Sequence, residues 1–123
     1  MRYTAKAIST AASLAALLGA LSFTMPMVSH ADAAAVAEGK AIAFDRKKGN
    51  CLACHQIDDG SLPGNIGPPL VAMKDRFPDK DKLRAQITDS RTANPNTIMP
   101  PFGAHEILSA SEIDKVVEFI HTL

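Results

Sequence analysis

The chain has 123 residues, with thirteen basic and thirteen acidic side chains, two cysteines and no tryptophan. That length holds one small domain at most. The balanced charge gives no strong field for steering, so neither nucleic acid nor a lipid surface is an expected partner.

The first element in chain order is a leader. Arg2 and Lys6 form a short positive region, and no charged side chain follows between Ala7 and Ala31. The stretch ASLAALLGALSF (residues 12–23) is apolar, and Ser29-His30-Ala31 and Ala31-Asp32-Ala33 each offer a small-x-small cleavage site. This is the pattern of a secretory signal peptide over residues 1–31, or 1–33. The competing reading, an uncleaved anchor, has the length but is diluted by Ser, Thr, Gly and Pro26. A mature domain over residues 32–123 would carry eleven basic and thirteen acidic residues, net −2. Its aromatics are Phe44, Phe77, Phe102 and Phe119 alone. A core of that size stabilises a fold poorly by itself. A disulfide between Cys51 and Cys54 would close too short a loop to help, whereas a large apolar cofactor would help greatly.

Within that domain, AAAVAEGKAIAFDRK (33–47) reads as a first helix, with Val36, Lys40, Ala43 and Phe44 able to share a face and Gly49-Asn50 ending it. The turn CLACHQ follows. DDGSLPGNIGPP (58–69), with three Gly and three Pro, is a loop. DKDKLRAQITD (79–89) reads as a helix opened by acidic residues, with Leu83 and Ile87 four apart. A proline-rich loop, RTANPNTIMPPFGAH (91–105), comes next. In the last segment Ser109 and Glu112 fit a capping box, and Ile113, Val116, Val117 and Ile120 fall at i, i+3, i+4 and i+7. No stretch alternates long enough to argue a strand, so the domain is expected to be all-α.

Chemistry is concentrated in GNCLACHQ (49–56). Three chemistries use cysteines three apart. A dithiol redox pair wants a βαβ context, which is missing. A structural zinc site needs four ligands. His55 adjoins Cys54 too closely to share the ion, and His105 and His121 are sixteen apart. Covalent haem uses the whole stretch. Residues i and i+3 of one helical turn share a face, so Cys51 and Cys54 can each take one vinyl group while His55 points at the iron. C-x-x-C-H is the attachment signature of a c-type haem.

The sixth iron position has the candidates Met99, Met73, His105 and His121, or no protein ligand at all. Met99 is favoured. It sits in NTIMPPFG, stiffened by Pro100 and Pro101, and a thioether raises the haem potential for electron transfer. Met73, in VAMKDRF, is next, although an isolated Met more often only fills a core. His105 reads as a surface residue, and His121 suits a helix C-terminus. His55 also needs a partner for its other ring nitrogen, and the carbonyl of Pro68 in GPPL is the expected one. Arg46, Lys47 and Lys48 read as a solvated charge run or part of a docking face.

CLACH, GPPL, MPPFG and the capped last helix together resemble the class I cytochromes c over roughly residues 35–123. The resemblance implies helices wrapped around one covalent haem c, crossing N- and C-terminal helices, proximal ligand His55, distal ligand Met99 and an orienting Pro68 carbonyl. The finer pattern, GKAIAFDRKKGNCLACHQ, GNIGPPL, NPNTIMPPFG and ILSASEIDKVVEFI, is similar to the SoxX family, the small monohaem subunits of periplasmic SoxAX cytochromes. That resemblance implies a SoxA-type partner and thiosulfate joined oxidatively to a cysteine of the SoxYZ carrier (the L-cysteine S-thiosulfotransferase reaction). Its electrons then pass through this subunit to a downstream cytochrome c. The chain itself would carry electrons and no catalytic residue. The alternatives are a free-standing soluble carrier and, if Met99 does not bind iron, an open-site haem enzyme.

Overall fold

In the computed structural model, residues 30–123 are described, with side chains from Asp32 onward; the leader read over residues 1–31 lies outside the described residues but for the backbone of His30 and Ala31. Among the described residues four helices occur: α1 (His30–Phe44), α2 (Met73–Arg76), α3 (Lys80–Thr88) and α4 (Ala110–Ile120). Short 3₁₀ turns lie at Cys51–Ala53 and Ser90–Thr92. No strand occurs among the described residues, and the fold is all-α, as expected.

Helix α1 crosses α4, and this is the most extensive helix–helix contact. Gly39 makes the close approach possible, because its missing side chain leaves room for the carbonyl of Lys115. Phe44 meets Phe119 edge to face, with centroids 5.9 Å apart and an interplanar angle of 82°, the arrangement the ring quadrupoles favour. The last helix is capped as its sequence requires. The Ser109 hydroxyl accepts from the Glu112 amide, and Glu112 accepts from the Ser109 amide. The whole expected stripe, Ile113, Val116, Val117 and Ile120, is buried, joined by Phe119. Each such side chain contributes roughly 1.5–3 kcal/mol of burial. Leu83 and Ile87 of α3 and Phe102 and Leu108 of the following loop complete the core around α4.

One boundary differs from the sequence expectation. The first helix, described from His30, stops at Phe44, not at Lys47. The Asp45 carboxylate accepts from the Lys47 amide at 2.8 Å, and the Asp45 carbonyl takes the amides of Lys48 and Asn50. An aspartate that bonds its own backbone in this way competes with the helix and ends it. The one-turn helix α2 follows Ala72, which holds a left-handed φ of 51°. It is fixed by the Met73 amide donating to the C-terminal Leu123 carbonyl at 2.8 Å.

Candidate cofactor site

The CLACHQ segment is a turn that a second strand of loop holds in place. The Cys54 and His55 amides both donate to the Cys51 carbonyl, at 3.2 and 2.9 Å. The amides of Gly64, Gly67 and Leu70 donate to the carbonyls of Leu52, Cys54 and Gln56, at 2.8, 2.8 and 2.9 Å. These three bonds lay GNIGPPL along the turn. The result places the Pro68 carbonyl 2.7 Å from His55 Nδ1. A carbonyl can only accept, so Nδ1 carries a proton, which in the neutral ring leaves the lone pair on Nε2. That tautomer is the one an imidazole needs to bind a metal through Nε2. Gly67 lies flat against the ring: a Cβ there would stand 2.4 Å from Cε1 and 2.6 Å from Nδ1.

Cys51 and Cys54 are free, half-buried thiols. Burial pushes the Cys51 thiol up to about 11, against a smaller lowering by a backbone hydrogen bond. A poised redox thiol needs the opposite shift, so the electrostatics argue against the dithiol reading.

Both thiols and His55 line a cavity of about 530 Å³, a volume in the range of cofactor sites. Much of its wall is apolar, including Leu70, Phe77, Leu83, Phe102, Val116 and Ile120. Met99 and Met73 both line it; His105 and His121 do not. His105 is exposed, and the His121 ring bonds the Phe77 carbonyl at 3.1 Å. The two methionines are held differently. Met73 is 2% exposed on α2, and its sulfur accepts from Arg76 Nη1 at 3.4 Å. Met99 sits on the proline loop with its peptide groups tied at both ends. Its amide donates to Thr97 Oγ1 at 3.1 Å, and its carbonyl accepts from Ser90 Oγ at 2.8 Å. Gln86 Nε2 lies 3.9 Å from its sulfur.

The donor set fits a haem of the c type. Two thiols three residues apart, an imidazole in the metal-binding tautomer and a thioether meet in one apolar cavity. Cys51 and Cys54 could hold the macrocycle, and His55 and Met99 the iron. Ser90, Thr97, Gln86 and Gly67 were not singled out by sequence reasoning. A lone serine in a polar loop carries no periodicity that would reveal it.

The rim is mixed, with apolar and basic side chains. Ile66 and Ile98 line the cavity yet are 63% and 74% exposed. Of the basic run, Lys48 is committed to Glu112, while Arg46 and Lys47 remain exposed at the cavity wall. Among the described residues no helix is long and apolar enough to cross a membrane.

A family model described as "Cytochrome C oxidase, cbb3-type, subunit III" matches residues 34–120. An uncharacterized lipoprotein of Aquifex aeolicus (strain VF5) is 36% identical over 76 residues, 61% of this chain and 37% of that protein. The chain therefore spans little more than a third of that relative's length. Among solved structures, the fold is similar to a chain in the crystal structure of SoxXA from P. pantotrophus, with a TM-score of 0.63 and 32% identity. That likeness covers 70% of this chain and 79% of the other.

Proposed function

We propose, on the premise that this chain belongs to the cytochrome c family matched over residues 34–120 and is SoxX-like in fold, that it is the monohaem electron-transfer subunit of a thiosulfate-oxidising SoxAX-type complex. In this reading one haem c is attached covalently through Cys51 and Cys54. His55 and Met99 would bind its iron, with the Pro68 carbonyl orienting His55. The protein works in the periplasm after removal of its leader. When bound, the haem supplies a reversible one-electron couple whose potential a methionine ligand raises. The chain's own residues supply the rest. The apolar wall would keep water from the iron, the Pro68 carbonyl orients His55, and with both His55 and Met99 on the iron no place would be left for substrate. No residue here acts on thiosulfate. That chemistry falls to a SoxA-type partner, which joins thiosulfate to a SoxYZ cysteine. This subunit takes the electrons released and passes them to a downstream cytochrome c.

The observation that carries the reading is the convergence of Cys51, Cys54, His55 and Met99 on one cavity in a chain similar to one of the SoxXA structure. The exposed apolar side chains Ile66 and Ile98 at the rim favour a lasting partner over a shuttle. Brief electron-transfer encounters are commonly steered by charge. The deciding experiment is gentle purification from the host periplasm, with native mass, haem count and thiosulfate-dependent reduction measured together. Co-purification with a second, larger c-type cytochrome and thiosulfate-dependent electron release is the expected result. A lone protein with one haem and no such activity would make it a free-standing carrier instead.

A further inference from the structure

Ser90 is the one polar side chain buried among the described residues, at 0% exposure. Burying a hydroxyl costs free energy unless it is bonded. Its bond goes to the Met99 carbonyl, nine residues on, at 2.8 Å. The serine itself is rigidly placed. It opens a 3₁₀ turn directly after α3, the Asp89 side chain caps that turn by accepting from the Arg91 amide, and the Ser90 carbonyl takes the Asn94 amide at 3.1 Å. From the other side, the Met99 amide donates to Thr97 Oγ1. Pro100 and Pro101 follow and offer no amide of their own. The Met99 peptide groups therefore have two side-chain hydroxyls as their anchors, and the buried one connects them to the end of α3.

We infer that Ser90 is a positioning residue, which holds Met99 in the cavity and sets how readily Met99 yields its place to a competing ligand. The inference rests on the assignment of Met99 as sixth ligand above. The Met99 sulfur can leave the cavity by rotation of its side chain or by movement of its segment, and the second route is the one Ser90 opposes. That movement breaks the Ser90–Met99 bond and leaves a buried hydroxyl unpaired, so the closed arrangement is favoured. An external ligand binds only the open fraction, and its apparent affinity scales with that fraction.

The test uses the haem-loaded full-length protein and imidazole as the probe, with binding followed by absorption of the ferric form. Ser90→Ala is expected to bind imidazole roughly tenfold more tightly than the parent, the factor that corresponds to one lost bond of this kind. Its spectrum without imidazole should match the parent's. Ser90→Thr, which keeps the hydroxyl, should return the affinity to near the parent value. Thr97→Ala, at a half-buried site, should also bind imidazole more tightly, and it tests the clamp should Ser90→Ala not accumulate with haem. An affinity within about twofold of the parent in both hydroxyl-deletion variants overturns the inference. So does an equal rise in Ser90→Ala and Ser90→Thr, since the cause would then be packing. Met99→Ala separates the two readings. If it opens the site while the Ser90 and Thr97 variants do not, only the positioning role fails. If Met99→Ala binds imidazole no better than the parent, the ligand assignment falls and the positioning role falls with it.

Discussion

Gly39 of α1 lies directly against the backbone of Lys115 in α4. A Cβ built on Gly39 would stand 1.9 Å from the Lys115 carbonyl oxygen and 2.5 Å from its carbon. The obstacle is backbone within the helix that carries the core, so no side chain can swing aside to relieve it. Two effects compete in Gly39→Ala. Alanine gains about 1 kcal/mol of helix propensity. Overpacking against a rigid wall costs about 1–3 kcal/mol, and more when the wall is backbone. The clash wins, because the helices must separate and the Phe44–Phe119 contact loosens with them. The haem-loaded variant should be destabilised by about 2 kcal/mol or more, read from its denaturant midpoint. A variant as stable as the parent would show that the helices do not cross here.

Glu112 gives a pH prediction with a definite sign. The Lys48 ammonium beside it, together with the Ser109 amide and hydroxyl, lowers its carboxyl from an ordinary 4.5 to about 2. A group whose folded value lies below its unfolded one contributes stability that is present above the unfolded value. That contribution is lost as pH falls through the folded value. The window is therefore pH 4.5 down to about 2. Stability of the parent should decline across it, and Glu112→Gln should show a flatter profile. The variant should be the weaker protein at pH 7, and the two should converge near pH 2. Parallel profiles from pH 5 to 2 would mean that Glu112 does not hold the ion pair linking the turn before Cys51 to α4.

Gly67→Ala probes the wall behind His55. The added methyl would fall 2.4–2.8 Å from three ring atoms, so the imidazole must tilt or the Pro68 carbonyl must withdraw. Either change disturbs the bond at Nδ1, and outer partners of this kind tune the basicity of a ligating histidine. The variant should lose about 1–3 kcal/mol of stability. Its ferric magnetic-resonance spectrum should also differ from the parent's, because the ring plane has turned. An unchanged spectrum would place the ring out of reach of residue 67.

The legible parts of this molecule were those where a local pattern and a tertiary role coincide. The capping box at Ser109 and Glu112 is written in adjacent residues, and the stripe from Ile113 to Ile120 has one period and one buried face. The CLACH stretch carries its chemistry within five residues. Helix α1 was harder to bound. Much of its contact face is Gly39 and Ala43, small residues with no apolar contrast, and its end is set by an aspartate bonding its own backbone. Ser90 was invisible because its burial depends on a carbonyl nine residues away in a loop without periodicity. The same holds for α2, whose single turn depends on Ala72 in a left-handed conformation and on a bond to the chain's last carbonyl. Long-range hydrogen bonds of this kind leave no mark on composition.

The haem is expected to hold the domain together. Without its cofactor, the domain would have to maintain a cavity of about 530 Å³. Unfilled, its apolar wall would stay exposed to solvent, and each large side chain left out of a core forgoes roughly 1.5–3 kcal/mol, against an entire stability of about 5–15 kcal/mol for a small domain. The cavity wall also contains Phe102, Val116 and Ile120, which belong to the same core that joins α4 to the rest. The domain is therefore expected to lose much of its stability without the haem. The Cys51→Ala/Cys54→Ala double variant, produced in the periplasm, should fail to retain haem and should be largely unfolded by circular dichroism, with no cooperative melt. His55→Ala should keep its thioethers and much of its helix content, because the macrocycle would still fill the space. If the double variant melts cooperatively with parent-like helix content, the cavity closes without a cofactor and the haem is not the core of this fold.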